Sequence, residues 1–275
     1  MRVAVVGHTE WIQFVRVPRV PRAGEIMQAS AAWEQPGGGG GVAVQQLASL
    51  AGEAAFFTAL GDDHFGHRAE TELEAKGVRV HAAWRDEPHR RAFTFVDDDH
   101  ERTITLLSPK LTPRGEDALP WDELDAVDAV YFTARDPGAL REARRARVVV
   151  VTARELPTAS EADVYIDALV GSATDPAEQY VAGALSPAPG VVVRTRGADG
   201  GEWEAADGAV GTYASAPLPG PPVDSYGAGD CFAAGLTFSL GRGDALPDAL
   251  ALGARCGAAA LAGGGVHVAP PALAG

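Results

Sequence analysis

The chain has 275 residues, 23 Lys+Arg against 37 Asp+Glu, and a formal net charge of −14. At ~150 residues per domain that length allows one large domain or two small ones, and 46% hydrophobic residues supply a core. The acidic balance argues against nucleic acid as the main partner, because no excess of cations can displace phosphate counterions. It leaves room for a small phosphorylated ligand in a locally electropositive pocket. Cys231 and Cys256 sit in alanine-rich apolar stretches and cannot build a disulfide framework. The apolar start at 3–6 runs straight into Gly7, His8 and Glu10, too short for a signal-peptide core. No stretch reaches the ~18 apolar residues of a membrane span, so a cytoplasmic protein with no membrane partner is expected. Lys76 and Lys110 are the only lysines in the sequence; the excess of arginine reads as a GC-rich genome.

Residues 2–7 form a β-branched run ending in glycine, the pattern of a buried parallel strand. From 10 to 33 the pattern is irregular and strand-like, punctuated by Pro18 and Pro21. The glycine run 37–41 follows, then helical apolar spacing over 42–51. Residues 54–60 read as a strand, 65–76 as a helix closed by Gly77, and 78–83 as another strand. The runs 91–96 and 102–107, separated by Asp97, Asp98, Asp99 and His100, predict a β-hairpin with a charged tip. Beyond Pro113 strands and helices alternate over 129–133, 137–146, 148–152, 164–167, 176–184 and 191–195. A second hairpin is predicted over 202–206 and 210–213, and helices over 228–240 and 249–262. Such alternation predicts an α/β fold, a mostly parallel sheet covered by helices on both faces. The strand-rich insertions at 10–35 and 85–108 have no helices of their own and suit a small β-lid on a single domain spanning 1–275.

The strongest local signal is Asp224-Ser225-Tyr226-Gly227-Ala228-Gly229-Asp230, followed by an apolar helix. Small residues let backbone approach a ligand closely, and a helix starting there presents free N–H groups and its positive dipole end. That arrangement can hold a phosphoryl group, with Asp230 placed to take a proton from an attacking hydroxyl. The alternative is an Asp N-cap in a glycine-rich turn. No Gly-x-x-x-x-Gly-Lys-Ser/Thr loop exists, which excludes a P-loop kinase, and a Rossmann dinucleotide site has little support. His64, His67, His81, His89 and His100 lack paired metal-ligand spacing; His64 and His67 read as a solvated helix start.

The motif resembles the C-terminal signature Asp-Thr-x-Gly-Ala-Gly-Asp of the ribokinase-like carbohydrate kinase family, the phosphofructokinase-B group, with Ser225 in place of Thr. The likeness spans nearly the whole chain. Residues 38–50 followed by Thr58 to Gly66 resemble the N-terminal signature, 95–104 the second lid strand pair, and Thr195-Arg196-Gly197 with Gly200 the nucleotide turn. The resemblance implies a three-layer α/β/α sandwich and an ATP-dependent kinase of a sugar or sugar derivative. Asp230 would be the general base, and the amides of Gly227, Ala228 and Gly229 the anion hole. Thr195, Gly197, Gly200 and Cys256 would border ATP. Gly38, Gly39 and Gly40 would let the acceptor lie against backbone, and Asp224 would mark a monovalent-cation site. Mg2+ with ATP, potassium activation and a homodimer formed through the lid are further expectations.

Several positions depart from the family pattern. The sugar-binding Asp after the first strand falls at Ile12, with Glu10 nearby, and the Asn after the glycine run falls at Ala43. An acidic residue that some members present before Pro is replaced by Arg135, ahead of Asp136-Pro137. The Asn-x-x-Glu motif linked to magnesium falls near 168–171, where neither side chain exists. Arg135 and the lid residue Arg102 suit an acceptor carrying a carboxylate or phosphate, which arginine matches bidentately. The alternatives are a nucleoside acceptor, or a catalytically weak binding or regulatory protein of the same fold.

Overall fold

The computed structural model describes residues 1–264 and 266–268. The chain runs through β1 (Val3–Gly7), β2 (Glu10–Arg16), β3 (Ala31–Gly37) and α1 (Gly38–Ala51), then β4 (Ala54–Gly61), α2 (His64–Glu74) and β5 (Val78–Arg85). Next come β6 (Arg91–Val96), β7 (Arg102–Leu106), β8 (Ala129–Thr133), α3 (Pro137–Ala143), β9 (Val148–Thr152), α4 (Leu156–Ala162) and β10 (Ala168–Ser172). The last third holds β11 (Val191–Thr195), β12 (Gly201–Ala205), β13 (Val210–Tyr213), α5 (Ala228–Arg242) and α6 (Leu246–Leu261).

The central strands are apolar on both faces because both faces are covered. Val3 and Val5 of β1, Phe56 of β4, Val150 of β9 and Val193 of β11 pack with α1, α5 and α6 residues in one core. Their neighbours Ala4, Val6, Phe57, Val149, Val151 and Val192 point the other way, onto Leu140, Ala143 and Ala159 of α3 and α4. The outcome is a nine-stranded sheet of order β13-β12-β11-β10-β9-β8-β1-β4-β5 between two helical layers. The strands from β5 to β11 in that order are parallel, and β12 and β13 extend the edge antiparallel. This is the expected three-layer α/β/α sandwich.

The two strand-rich insertions form a separate four-stranded sheet, β3-β2-β6-β7. Glu10 pairs with Gly37 across β2–β3, and Trp11 with Arg91 across β2–β6. Phe14 of β2 stacks on Trp33 at 5.1 Å and meets Tyr226 edge-on at 5.2 Å, which docks this lid on the loop before α5.

Three expectations are corrected. The strand predicted at 164–167 begins at Ala168; Asp167, just before it, bonds by its backbone to Val149 O and Val191 N and accepts through its carboxylate from Val149 N (2.7 Å) and Arg144 (2.6 Å). The segment 176–184 is a single 3₁₀ turn, Pro176–Glu178. Glu178 folds back to accept from Ser172 N (2.7 Å), and Gln179 donates to the carbonyls of Ser172 and Asp175, so no helix propagates. Helix α4 is absent from the sequence reading, although Pro157 in its first turn is a helix-start signal. The glycine run is also more regular than a loop, since α1 starts at Gly38. Glycine weakens a helix by ~1 kcal/mol relative to alanine, but a Cβ on Gly40 would lie 2.5 Å from the His8 carbonyl oxygen. Close approach to the chain leaving β1 therefore demands glycine there.

Candidate active site

Chain order and sheet order diverge at β1: the chain moves outward through β4 and β5, then returns to place β8 on the other side. Ligands of open α/β sheets bind beyond the carboxyl ends of the strands at such a switch point. Here that crevice lies past Gly7 of β1 and Thr133 of β8, which are paired in register. The glycine run at the start of α1 and the 224–230 loop close over it.

Asp230 lies in the first turn of α5. The N-cap is Gly227 at φ +74, and no side chain caps the helix, so its first N–H groups are left for a ligand. Asp230 stays partly accessible from the cleft, yet burial among its walls pushes its carboxyl up to about 6, opposed by Arg102 and Arg154 and helped by Glu178 and Glu10. Tyr131 donates to its Oδ1 at 3.5 Å. A Cβ built on Gly39 would sit 3.1 Å from Asp230 Oδ1, 3.2 Å from Thr133 Oγ1 and 3.6 Å from His8 Cε1. The space above Gly39 is thus bounded by the Asp230 carboxylate, the Thr133 hydroxyl and the His8 ring. Gly38 adopts φ +74, and its N–H donates to the buried Tyr226 hydroxyl at 2.7 Å.

Beyond that space the pocket is cationic. Arg90 Nε donates to Glu10 Oε2 at 2.6 Å, both side chains being about a tenth exposed or less. Lys110 Nζ lies 3.4 Å and Arg135 Nε 3.9 Å from the same oxygen of Glu155. Burial pulls Lys110 below its ordinary value, as do Arg135 and Arg90 against the opposing pull of Glu155. Lys110, Arg90 and Arg135 all act on His8, set against the carboxylates of Glu10, Glu155 and Asp230 in the same region. Sequence reasoning missed Arg90, Lys110, Glu155, His8 and Thr133. Lys110 carried a faint signal, as one of two lysines among many arginines.

On the other side of Asp230 lies a cavity of about 260 Å³, lined by Thr195, Gly197, Gly200, Tyr213, Phe232 and Gly229 among others. Its apolar walls and its position along the first turn of α5 fit a purine base with its phosphates on the helix N-terminus. A Cβ on Gly229 meets nothing within 4 Å, so a side chain there would project into this cavity without disturbing the fold.

The sequence-derived site is partly brought together. Thr195, Gly197 and Gly200 line this cavity, as do Ala228 and Gly229, but Cys256 does not. It is fully buried, and a Cβ on Gly235 of α5 would lie 2.8 Å from its sulfur; Gly257 and Ala258 line the cavity in its place. Ala43 faces the sheet core with Val3 and Val5, away from the pocket. Ile12 is fully buried in the cluster of Phe14, Val42 and Tyr226 beneath the lid, so it offers the acceptor no surface. Glu10 reaches the glycine run but is held by Arg90. Arg102 donates to Ser225 O and to Ser225 Oγ (3.0 Å), clamping the lid to the 224–230 loop. Arg135 is largely at the surface, its side chain 63% exposed and its Nε 3.9 Å from Glu155 Oε1. Residues 168–171 lie inside buried β10, and the carboxylates that follow the strand, Asp175 and Glu178, are both held by Arg154. Asp224 is buried, and its Oδ1 accepts from Tyr226 N at 2.9 Å.

An α/β/α sandwich with a β-lid over a helix-capped switch point is the architecture of solved sugar kinases. The microbiome-derived acarbose kinase superposes with a TM-score of 0.82 at 23% identity, covering 98% of this chain and 95% of that one. The ribokinase of Thermotoga maritima superposes at 0.80 with 19% identity, covering 98% and 97%. Residues 1–153 and 144–272 match the pfkB family carbohydrate kinase pattern, and the chain belongs to that family. It is similar to the ATP-dependent ribose-1-phosphate kinase of Halopiger xanaduensis, 29% identical over 293 residues that cover 99% of this chain and 96% of that protein. The protein is therefore a kinase of a sugar or sugar derivative, a phosphotransferase.

Proposed function

We propose that the protein transfers the γ-phosphoryl group of ATP to a hydroxyl of a sugar that already carries a phosphate or other acidic group. The observation that carries this reading is the trio Arg90, Lys110 and Arg135 beside the acceptor space, two of them sharing Glu155. A neutral sugar needs acceptors for its hydroxyls, and a buried donor left unpaired costs ~1–3 kcal/mol. A phosphate is matched by these cations. The similarity to a ribose-1-phosphate kinase supports the same class of acceptor. ATP consumption measured across free and phosphorylated sugars tests it.

In the reaction, Asp230 takes the proton of the acceptor hydroxyl as its oxygen attacks the γ-phosphorus and the bond to the β-phosphate oxygen breaks. The amides of Gly227, Ala228 and Gly229 stabilise the charge on the transferring group. The lid excludes water, so ATP is not spent on hydrolysis. Among the described residues no cluster of three His, Cys, Asp or Glu side chains could hold a metal. Magnesium bound to the triphosphate would neutralise phosphate charge; Asp175 and Glu178, the carboxylates after β10, are both held by Arg154.

Gly229→Val places a branched side chain where the triphosphate meets the helix. Turnover should fall and KM for ATP rise, with the melting temperature near wild type because the site is open. A variant with unchanged turnover would mean that the turn is only structural. Asp224 supports a modest activation by potassium over sodium; equal rates in matched chloride salts would remove that cation site. The edge strand β7 exposes all its residues, Leu106 at 53%, and pairing with a second copy would cover it. Sedimentation at micromolar concentration should give a dimer, and a monomer would contradict this.

A further inference from the structure

We propose that Nε2 of His8 accepts a hydrogen bond from a hydroxyl of the acceptor sugar, so that His8 sets which hydroxyl pattern the enzyme takes. The inference rests on the kinase reading above and adds a residue to it.

His8 is the first residue past β1, at the switch point, and is 7% exposed. Its Nδ1 lies 3.2 Å from the carbonyl oxygen of Thr133. A carbonyl can only accept, so Nδ1 carries the hydrogen. In the neutral ring Nε2 is then a bare lone pair. The ring stays neutral: burial holds it well below the usual histidine range, with Lys110, Arg90 and Arg135 acting the same way and the Thr133 carbonyl opposing. Among the described residues the ring's hydrogen bond is made by Nδ1 alone, and Nε2 is left facing the glycine run. It lies 3.2 Å from the point a Cβ on Gly38 would occupy. The neighbouring space above Gly39 is bounded by Asp230 Oδ1, Thr133 Oγ1 and the edge of the same imidazole. A sugar presenting one hydroxyl to Asp230 would bring an adjacent one to Nε2.

The choice of residue type fits an anionic acceptor. Ile12 is fully buried and accepts nothing, and Glu10 is committed to Arg90. A carboxylate at position 8 would repel a phosphate held by Arg90, Lys110 and Arg135. An uncharged imidazole lone pair receives a hydroxyl without that repulsion.

His8→Asn is the informative variant. An asparagine amide can reproduce the Nδ1–H bond to Thr133 O, but it removes Nε2. The experiment takes the best acceptor from the panel and its monodeoxy analogues. Wild type should lose ~3–10-fold in kcat/KM when the bonded hydroxyl is removed, the worth of one hydrogen bond. His8→Asn should show a similarly raised acceptor KM, an unchanged KM for ATP, and no response to removal of that hydroxyl. His8→Gln, which carries an amide to the Nε2 position, should restore part of the discrimination. An unchanged acceptor KM in His8→Asn, or discrimination kept across the whole deoxy series, would overturn the proposal. Should the variants fail to fold, nitrogen-15 spectra of wild type decide: the Nε2 resonance must move on adding acceptor alone, and a resonance that stays put overturns it. A preference for neutral sugars would defeat the acidic-acceptor reading, while the His8 test would run unchanged on the neutral sugar.

Discussion

Asp230→Asn is expected to slow phosphoryl transfer by ~10²–10⁴-fold, the usual contribution of a positioned general base. ATP affinity should hold, because the amide backbone of the α5 start is untouched. In the wild type, kcat/KM for the acceptor should fall as pH drops through about 6, the value to which burial lifts this carboxyl. The same shift makes a stability prediction. Below pH 4 the group is protonated in both the folded and unfolded chains and has no differential effect. As pH rises, the unfolded chain ionises first, so stability declines until the folded group ionises near 6 and stays lower above it. Asparagine lacks this penalty. Asp230→Asn should therefore melt higher than wild type at pH 8, with the gap closing below pH 4. Wild-type turnover by the variant would end Asp230's role as the base.

The second large effect concerns the acceptor's acidic group. Lys110→Gln and Arg135→Ala should each lower kcat/KM for a phosphorylated sugar by ~10–100-fold, since a hydrogen bond to a charged group is worth ~1.5–3 kcal/mol. Both should leave kcat/KM for a free sugar little changed. Lys110→Gln also strips a cation from Glu155, whose side chain is 2% exposed, and so lowers stability. The ratio of the two acceptors is independent of the folded fraction and remains the readout. Arg135→Ala, at an exposed side chain, should melt like wild type. Equal losses on both acceptors would mean that the cations organise the pocket without reading the substrate's charge.

How far the sequence revealed this site depended on whether the chemistry was local. The α5 start was legible because Gly-x-Gly between two aspartates is contiguous and its geometry follows from small residues at a helix N-terminus. The lid was legible as strand runs without helices. Arg135 was reachable through its position beside Asp136-Pro137, whereas Arg90 and Lys110 were not. Neither sits in a local motif, and only the fold brings Arg90 onto Glu10, Lys110 onto Glu155, and both near His8. Ala43 and Cys256 went wrong through helix phase, since one position along an α-helix turns a side chain by about 100°, enough to move it from the cavity into the core. The misplaced 168–171 followed from starting β10 four residues early, which hid the Asp175–Glu178 loop. His8 went unread because its role depends on the Thr133 carbonyl, 125 residues distant.

The most direct test of the account is ATP consumption by the purified protein over a panel that pairs each free sugar with its phosphorylated or acidic counterpart. The account predicts that anionic acceptors, sugar phosphates foremost, give the higher kcat/KM and that their advantage shrinks in Arg135→Ala. Free ribose outperforming every anionic acceptor would contradict it.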